Sequence, residues 1–257
     1  MKPLNELLIS NLKDGILKFE IETMDDFNSA INQLLDYPHY VWRGQRDANW
    51  LLEPTLNRVL KDFDNPSNRI VDKHLENFRY SSRGRRGSNP NLELTDDEWW
   101  ALGQHHGLAT PLLDWSTSPY VAAFFAFSED STEENSKRII YGLNRGQIEK
   151  KSNNDIITGD DLISFVKPFS DDNPRLLNQS GLFTKGPIRK DLESWVKNYF
   201  VNDKHAVLIK IFIPNEQQAI FLKALNRMNI NYSTLYPDLV GASLHCNMSL
   251  KISKYLE

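Results

Sequence analysis

The sequence predicts an α+β fold in which a mixed sheet is flanked by helices. Segments with strand character and segments with helical character follow one another without a regular strand-helix-strand order, which is typical of this class. The clearest strand, Ala206 to Ile213, is an apolar run disturbed only by Lys210. A chain of 257 residues with 40% hydrophobic content can bury a full core. We therefore expect residues 1–257 to form a single domain with helical extensions at both termini.

Helix caps and β-branched runs divide the N-terminal part into elements. Ile16 to Ile21 reads as a strand, and Thr23 with Asp26 caps a helix whose apolar stripe belongs to the core. The aromatic and β-branched run Tyr40 to Gln45 predicts a second strand. Three further segments follow as an irregular stretch, a helix and a mobile basic loop: Asp47–Asn57, Ile70–Phe78 and Arg83–Gly87.

The stretch from Trp99 to Phe127 concentrates polar side chains between two apolar segments. A capping box at Thr95 starts a helix, and Gly107 ends it. Ser118, followed by a proline at the first helical position, opens a second helix that is apolar nearly all round and therefore buried. We expect the polar residues of this stretch to lie at the ends of these two rigid helices, where they form a site: His105, His106, Asp114, Ser116, Thr117 and Ser118.

The C-terminal half supplies further strands and three helices. Asn215 and Gln218 are predicted to cap the helix that follows the clearest strand. The stretch from Asn144 to Asp161 shows no strong period and reads as loops with one short helix. The predicted strands are Arg138–Leu143, Ile163–Val166 and Pro174–Phe183, the last with a turn at Ser180. Two more helices are predicted at Lys190–Phe200 and Leu239–Leu256.

Composition restricts the classes of function. The 30 basic and 34 acidic residues give a net charge of -4, so the whole molecule does not attract nucleic acid, although a local basic patch is compatible with it. Cys246 is the single cysteine, which excludes internal disulfides and thiolate metal clusters and suits a reducing compartment. No apolar run is as long as a membrane span or a secretory signal core requires. We expect a cytoplasmic protein.

Several short motifs in a fixed order resemble the FRG-domain family. That family is named for a Phe/Trp-Arg-Gly strand end, and its members carry a QHHG segment followed by a Leu-Leu-Asp-Trp segment. The resemblance implies an FRG domain, a type of module found in bacteria, phages and mobile elements. The family often has arginine where this chain has Pro111, so the role of that arginine is either vacant here or supplied elsewhere by Arg83, Arg85 or Arg86. The matching segments are Trp42–Gln45, Gln104–Gly107, Leu112–Trp115, Ser118–Pro119 and Ala122–Ala126.

A weaker resemblance points to chemistry. The order of Arg43-Gly44, then Ser116-Thr117-Ser118, then the small and aromatic run Ala122–Ala126 is similar to the Arg-Ser-Glu class of ADP-ribosyltransferases. The resemblance implies an ADP-ribosyltransferase-like fold with NAD as substrate. Arg43 would then hold the pyrophosphate, because a guanidinium binds phosphate oxygens bidentately. The Ser-Thr-Ser hydroxyls would shape the ribose pocket, with Gly44, Gln45 and His105 beside it.

The chain lacks the glutamate that this class of ADP-ribosyltransferases uses in catalysis. Around Gln179 the sequence has the expected glutamine but no glutamate two residues later. Asp114 is the first candidate to supply the negative charge that stabilises the oxocarbenium-like transition state, ahead of Glu193 and Glu216. The catalytic candidates are Arg43, His106, Asp114 and Gln179.

Each of these residues also has a structural interpretation. Arg43 caps a strand or pairs with a surface acid, and Asp114 and the serines are ordinary helix-start residues. The side chains of adjacent helical residues point about 100° apart, so His105 and His106 do not suit one metal ion. His39 and His74 are the other histidines that could contribute, and we predict no metal site. One histidine is expected to be buried and the other to face the cleft. Ser116, His106 and Asp114 lack the sequence context of a hydrolase triad.

The leading prediction is an NAD-using effector, acting by ADP-ribosyl transfer or NAD hydrolysis, in a bacterial toxin or phage-defence context. A protein or a nucleic acid would be the acceptor, and no membrane partner is expected. The main alternative is a sensor module that binds a nucleotide or a protein and regulates a partner without turnover. A metal-dependent nuclease is a third possibility, without a recognisable set of acids. The Arg83–Arg86 loop either binds nucleic-acid phosphates or is a solvated face. We assign four tryptophans to the core: Trp50, Trp99, Trp100 and Trp115.

Overall fold

The structure is a computed structural model that describes residues 11–64, 66–87, 90–91, 93–131, 136–153, 156–157, 159–168 and 174–254. These residues form one eight-stranded mixed sheet with helices on both faces, which confirms the predicted α+β class. The strands are β1 (Leu12–Lys13), β2 (Ile16–Glu20), β3 (Tyr40–Gln45), β4 (Leu112–Ser116), β5 (Lys137–Asn144), β6 (Ser164–Val166), β7 (Gly181–Lys185) and β8 (Leu208–Pro214). Their order in the sheet is β1-β2-β8-β5-β3-β4-β7-β6. Strand β2 pairs with β8 in parallel, and the other neighbours are antiparallel.

Helices connect most of these strands. They are α1 (Met24–Asn32), α2 (Thr55–Val59), α3 (Asn68–Ser82), α4 (Asp96–His105), α5 (Pro119–Phe127), α6 (Arg145–Asn153), α7 (Pro174–Asn178), α8 (Leu192–Tyr199), α9 (Gln218–Arg227), α10 (Tyr232–Leu235) and α11 (Leu239–Lys254). Three short 3₁₀ helices are Leu60–Asp62, Gly159–Asp161 and Asn215–Gln217.

The core has a cluster on each face of the sheet and a third beside β4. On one face α5 is buried between β3 and helices α1 and α9, and Phe127 stacks on Phe221 with ring centroids 4.3 Å apart. The opposite face packs against α6 and α8, where Trp195 is fully buried. The third cluster joins α2, α3 and α4 through Leu75 and Trp100. Helix α5 is apolar on all sides because other elements surround it, as predicted.

The predicted helix caps are confirmed. The Thr23 hydroxyl accepts from the amide of Asp26 at 3.1 Å. Thr95 and Glu98 form the reciprocal capping box at the start of α4, and the Ser118 hydroxyl accepts from the amide of Val121 at the start of α5. Caps depend on neighbouring residues alone, which explains why the sequence locates them well.

Lys210 lies inside β8 although its neighbours are apolar. Its ammonium group donates to the carboxylate of Glu193 on α8. Lys18 and Lys197 also pair with this carboxylate. Hydrogen bonds to Lys210 and Lys197 hold the pKa of Glu193 below its usual range against the opposing effect of burial. Glu193, an alternative candidate for the catalytic acid, is therefore part of an ion-pair network on the sheet.

Several sequence predictions of secondary structure are wrong. The predicted irregular stretch contains α2, and the first part of the predicted strand Pro174–Phe183 is helix α7, because strand β7 begins only at Gly181. Asn215 and Gln218 make no capping hydrogen bond to α9. Their side chains instead contact Arg138 and the carbonyl of Phe127. The last two residues of the predicted C-terminal helix, 255 and 256, lie outside the described residues.

Replacement of Arg138 by methionine is expected to lower the free energy of unfolding by about 3 kcal/mol. This side chain is fully buried on β5 and donates to the side chain of Asn215 at 2.8 Å and to the carbonyls of Ala126 and Glu129. Methionine fills similar space but donates to none of these acceptors. The Ala126 carbonyl is buried and the other two acceptors are partly buried, and the Glu129 carbonyl keeps the side-chain amide of Gln218 as a donor. Urea unfolding of the variant, compared with Arg227→Met at an exposed position, measures the loss. Equal stability of the two variants would contradict this role.

Candidate functional site

The candidate site opens where the central sheet separates. Among the described residues, β3 and β4 pair at one position, Trp42 with Ser116. Beyond it, Arg43 to Gln45 pair only with β5, and Leu112 to Trp115 pair only with β7. If the antiparallel pairing of Trp42 with Ser116 continued along both strands, Gly44 would lie opposite Asp114. The separation therefore exposes strand edges in the middle of the sheet, where ligand groups can reach them.

A cavity of about 300 Å³ occupies this gap. We call it the inner cavity. It brings together five of the residues that the sequence analysis predicted for the site: Arg43, Gly44, Asp114, Ser116 and Gln179. Trp42, Trp115, Ala122, Phe125 and Tyr236 complete its walls. The polar residues thus converge on one concave, partly apolar space, which is the usual form of a small-molecule site.

Arg43 spans the gap between the two strands. Its guanidinium donates to the backbone carbonyl of Asp114 at 2.9 Å and lies 3.5 Å from one oxygen of the Asp114 carboxylate. The buried Nε atom of Arg43 has no hydrogen-bond partner in the described structure. Burial lowers the pKa of Arg43, and the charge of Asp114 opposes that shift. The side chain stays cationic at physiological pH because the ordinary pKa of arginine lies far above 7.

Asp114 presents a positioned carboxylate to the inner cavity. The side-chain amide of Gln104, on α4, donates to its Oδ1 atom at 2.7 Å. The Thr110 hydroxyl in turn donates to the Gln104 carbonyl oxygen, so the amide has a defined orientation. The Asp114 side chain remains 61% exposed. Asp114 lies in strand β4 and does not cap α5, which corrects both the predicted helix-end location and its structural alternative.

The hydroxyl of Ser116 is engaged within the protein. It donates to the carbonyl of Gln179 at 2.7 Å and accepts from the amide of Ser118 at 3.0 Å. Ser116 is buried and, like Asp114, lies in β4 instead of at a helix end. No histidine contacts it among the described residues, so the Ser116, His106 and Asp114 triad is not assembled. Ser116 fixes the backbone that lines the cavity.

Two residues from beyond the central segment form another wall of the inner cavity. Gln179, at the end of α7, donates through its amide to the carbonyl of Leu235 at 3.2 Å. Tyr236 follows α10, and burial raises the pKa of its phenol to about 12, with a smaller contribution from Tyr232. The guanidinium of Arg175 lies 4.7 Å from the centre of the Tyr236 ring. Tyr236 is therefore a neutral aromatic surface at physiological pH.

A second cavity of about 560 Å³ continues from the first and shares Arg43, Gly44, Phe125 and Tyr236 with it. We call it the outer cavity. Gln45 lies in its wall and has a buried amide oxygen without a partner. Its charged groups include Arg58 and the pairs Lys61–Glu53 and Arg46–Glu129. Trp50, which was assigned to the core, is 43% exposed here, whereas Trp100 and Trp115 are buried as predicted.

Gly44 has a packing role as well as a place in the cavity wall. A Cβ atom added to Gly44 would lie 1.9 Å from the carbonyl oxygen of Ala122 and 2.7 Å from the amide nitrogen of Ala126. These are backbone atoms of α5 and cannot move aside easily. The glycine of the Arg-Gly motif therefore lets α5 approach β3 closely.

Four predicted site residues line neither cavity. Thr117 is exposed, and its amide donates to the carbonyl of Ser180, while Ser118 caps α5. His105 is half-buried and His106 exposed, so the prediction that one histidine is buried is wrong. Their rings meet edge to face at 4.8 Å. Partial burial lowers the pKa of His105, and the nearby charges of His106 and Arg175 add to the shift.

Other candidates lie elsewhere. Neither Glu193 nor Glu216 is among the residues that line the two cavities. Arg83 and Arg86, proposed substitutes for the arginine replaced by Pro111, line a separate cavity, whereas Arg58 lies in the outer cavity. His74 bonds to the carbonyl of Ala109. The described residues contain no group of three or more histidine, cysteine or acidic side chains suited to a metal ion.

Comparison with known proteins identifies the segment around this site. Residues 38–135 match the family model of the FRG domain. The FRG resemblance predicted from the motifs is confirmed for this segment, which supplies Arg43, Gln104 and Asp114. No curated protein and no solved structure matches the chain. The resemblance to ADP-ribosyltransferases gains no support from these comparisons and stays a prediction.

The FRG segment does not build the whole cleft. Gln179 and Tyr236 lie C-terminal to it and still line the inner cavity. Gln104 belongs to the QHHG motif, although roles were predicted only for the two histidines beside it. Tyr236 lies outside all the matching motifs, and no local pattern marked it as a site residue. No helix in the described part of the chain has the length and apolar character that a membrane crossing requires.

Proposed function

We propose that this chain uses NAD as a substrate, for NAD hydrolysis or ADP-ribosyl transfer, as an effector in a bacterial toxin or phage-defence system. The observation that carries the proposal is the Asp114 carboxylate, positioned by Gln104 and facing Arg43 in one cavity. A guanidinium 3.5 Å from a carboxylate suits a ligand that carries phosphate groups and whose ribose develops positive charge in the transition state.

The two cavities suit the two parts of such a ligand. Arg43 lies in the wall of both, so a pyrophosphate bound there would direct one nucleoside into each cavity. Their combined volume lies within the range of small-molecule and cofactor sites, roughly 300 to 1,000 Å³. Arg58 adds positive charge beside Arg43, since it contributes to the lowered pKa of that residue. The Tyr236 ring offers a flat surface for the nicotinamide.

The proposed reaction breaks the bond between C1′ of the ribose and the nicotinamide nitrogen. The bonding electrons move to the nitrogen, and neutral nicotinamide leaves. Asp114 stabilises the resulting oxocarbenium-like ribose through its negative charge. Water, or a hydroxyl of an acceptor, then attacks C1′ and loses its proton to Asp114 or to solvent. The ribose pocket is shaped by the Ser116–Ser118 backbone, because the Ser116 hydroxyl already has partners.

A binding module without turnover is the second candidate. The Ser116 hydroxyl is bonded within the protein, and His106, one of the predicted catalytic residues, does not line the inner cavity. Among the described residues, Asp114 supplies the acid of that cavity without a second carboxylate beside it. These observations favour a sensor that holds a nucleotide between Arg43 and Tyr236 and signals to a partner.

Arg43→Ala tests the proposal. We expect the variant to release nicotinamide from NAD at least about 100-fold more slowly than the wild type, because it loses the phosphate-binding cation. Its melting temperature should stay within about 5 °C of the wild type, since the loss of one partly exposed side chain costs roughly 1 to 2 kcal/mol. Chromatographic assay of nicotinamide, with and without lysate as acceptor, gives the rate.

Arg227→Ala is the matched control, because Arg227 is an exposed arginine outside both cavities. A wild type that binds NAD in calorimetry through Arg43 but releases no nicotinamide would support the sensor. A collapse of the melting temperature in Arg43→Ala alone would make Arg43 a structural residue and contradict both functions.

A further inference from the structure

We propose that the outer cavity binds the adenosine half of NAD and that Gln45 selects adenine over other purines. This inference rests on the proposed use of NAD and names the part of the substrate that each cavity holds. Asp114, the proposed catalytic acid, lines the inner cavity and not the outer one, so the nicotinamide riboside belongs in the inner cavity. The outer cavity has the larger volume, about 560 Å³ against about 300 Å³, and therefore suits the bicyclic purine.

Gln45 has a buried hydrogen-bond acceptor in the wall of the outer cavity. The residue ends strand β3 and is 7% exposed. Its side-chain amide nitrogen donates to the backbone carbonyl of Leu51 at 3.4 Å. A carbonyl only accepts, so this contact fixes the nitrogen and identifies the other atom of the amide as oxygen. That oxygen has no hydrogen-bond partner among the described residues, which is unfavourable for a buried acceptor and indicates that a ligand supplies the donor.

A free amide oxygen at this place distinguishes purines by the group at position 6. Adenine carries an amino group there, which donates, whereas hypoxanthine and guanine carry a carbonyl oxygen, which only accepts. A carbonyl facing the Gln45 oxygen would bring two acceptors together without a proton between them, and this repulsion is the basis of the selection. The terminal torsion of glutamine is broad, so the carboxamide can turn toward the base without leaving its rotamer.

Trp50 offers a stacking surface in the same wall. The residue is 43% exposed and lines the outer cavity. The guanidinium carbon of Arg46 is 4.9 Å from the centre of the Trp50 ring, and Arg46 is itself paired with Glu129. The indole is therefore braced by a cation that has its own partner. Because an indole stacks on any base, Trp50 contributes affinity for the purine, and Gln45 contributes the choice of purine.

The charges of the outer cavity suit a nucleotide. Each of the two acidic side chains in its wall is paired with a basic one. Arg58, in the same wall, has no acidic partner in the described part of the chain and donates to the Thr55 hydroxyl at 3.1 Å. Arg43, at the boundary between the two cavities, is the second guanidinium available to a diphosphate.

Calorimetric titration of the full chain with adenosine diphosphate and with inosine diphosphate tests the inference without requiring turnover. The two probes share the ribose and both phosphates and differ only in the base. We expect the wild type to bind adenosine diphosphate at least about tenfold more tightly. Gln45→Met, which is similar in size, should bind it about tenfold more weakly and lose the preference. Trp50→Ala should weaken the binding of both probes about tenfold and keep the preference, since it removes only the stacking surface.

Gln217→Met is the matched control for Gln45, because the Gln217 amide oxygen is also buried without a partner in the described structure but lies outside both cavities. Phe63→Ala, at an exposed aromatic residue outside both cavities, is the control for Trp50. Both controls should bind adenosine diphosphate like the wild type. Failure of the wild type to bind it, equal affinity for the two probes, or an unchanged preference in Gln45→Met would overturn the inference.

Nicotinamide release is measured separately, so this inference and the proposed function can fail independently. If the wild type releases nicotinamide from NAD, release from nicotinamide hypoxanthine dinucleotide should be at least about tenfold slower at low substrate concentration. Equal rates would overturn the selection by Gln45 and leave the NAD chemistry intact. Selective binding of adenosine diphosphate by a chain that releases no nicotinamide would support the adenine site and contradict the turnover.

Discussion

Gly44→Ala is expected to lower the free energy of unfolding by about 3 kcal/mol or more, or to prevent folding. The added methyl would meet backbone atoms of Ala122 and Ala126 at 1.9 and 2.7 Å. Helix α5 is held on its other sides by core residues, so it cannot retreat without opening that cluster. For a chain of this size the expected fall in melting temperature is about 6 to 12 °C. Thermal and urea unfolding followed by circular dichroism measure it.

Gly146→Ala is the matched control, because the same methyl at Gly146, in helix α6, would meet only side-chain atoms of His39 and Asn144, at 3.4 Å or more. This variant should be as stable as the wild type or slightly more stable, since alanine favours a helix over glycine. If Gly44→Ala unfolded like Gly146→Ala, α5 would not pack on β3 as closely as the structure shows. The glycine would then serve the ligand, as the sequence analysis first predicted.

Asp114→Asn is expected to reduce nicotinamide release by about 100-fold to 1,000-fold, which corresponds to roughly 3 to 4 kcal/mol of lost transition-state stabilisation. Asparagine has the same shape but no negative charge to stabilise the oxocarbenium-like ribose. The Michaelis constant should change little, because the interaction develops mainly in the transition state. Steady-state rates of wild type and variant with NAD give both parameters.

A second variant separates the effect of the Asp114 charge from the effect of its position. Gln104→Leu removes the hydrogen bond that orients Asp114 but leaves the carboxylate in the cavity. We expect an intermediate loss of about tenfold in this variant. Asp25→Asn, at an exposed position in α1, controls for the loss of a carboxylate elsewhere. An Asp114→Asn variant with the wild-type rate would exclude Asp114 as the acid, whereas a wild type that releases no nicotinamide would favour the sensor.

The local elements of the fold were predictable from the sequence. The caps at Thr23, Thr95 and Ser118 and the strands β3, β5 and β8 were found because their signals depend on nearby residues. Helix α7 was missed, since Pro174 to Asn178 is short and its apolar residues suit either a helix or a strand. The tertiary contacts of Leu176 and Gly181 decide between them.

The sequence by itself determined the α+β class, the FRG motifs and five of the residues that meet in the inner cavity. Only the tertiary structure showed that β3 and β4 part after one residue pair, that Gln104 rather than a histidine holds Asp114, and that Tyr236 closes the cleft. The reason is physical. Strand register and side-chain direction at the sheet gap depend on how α4, α5 and α10 pack, and residues so distant in sequence leave no local pattern.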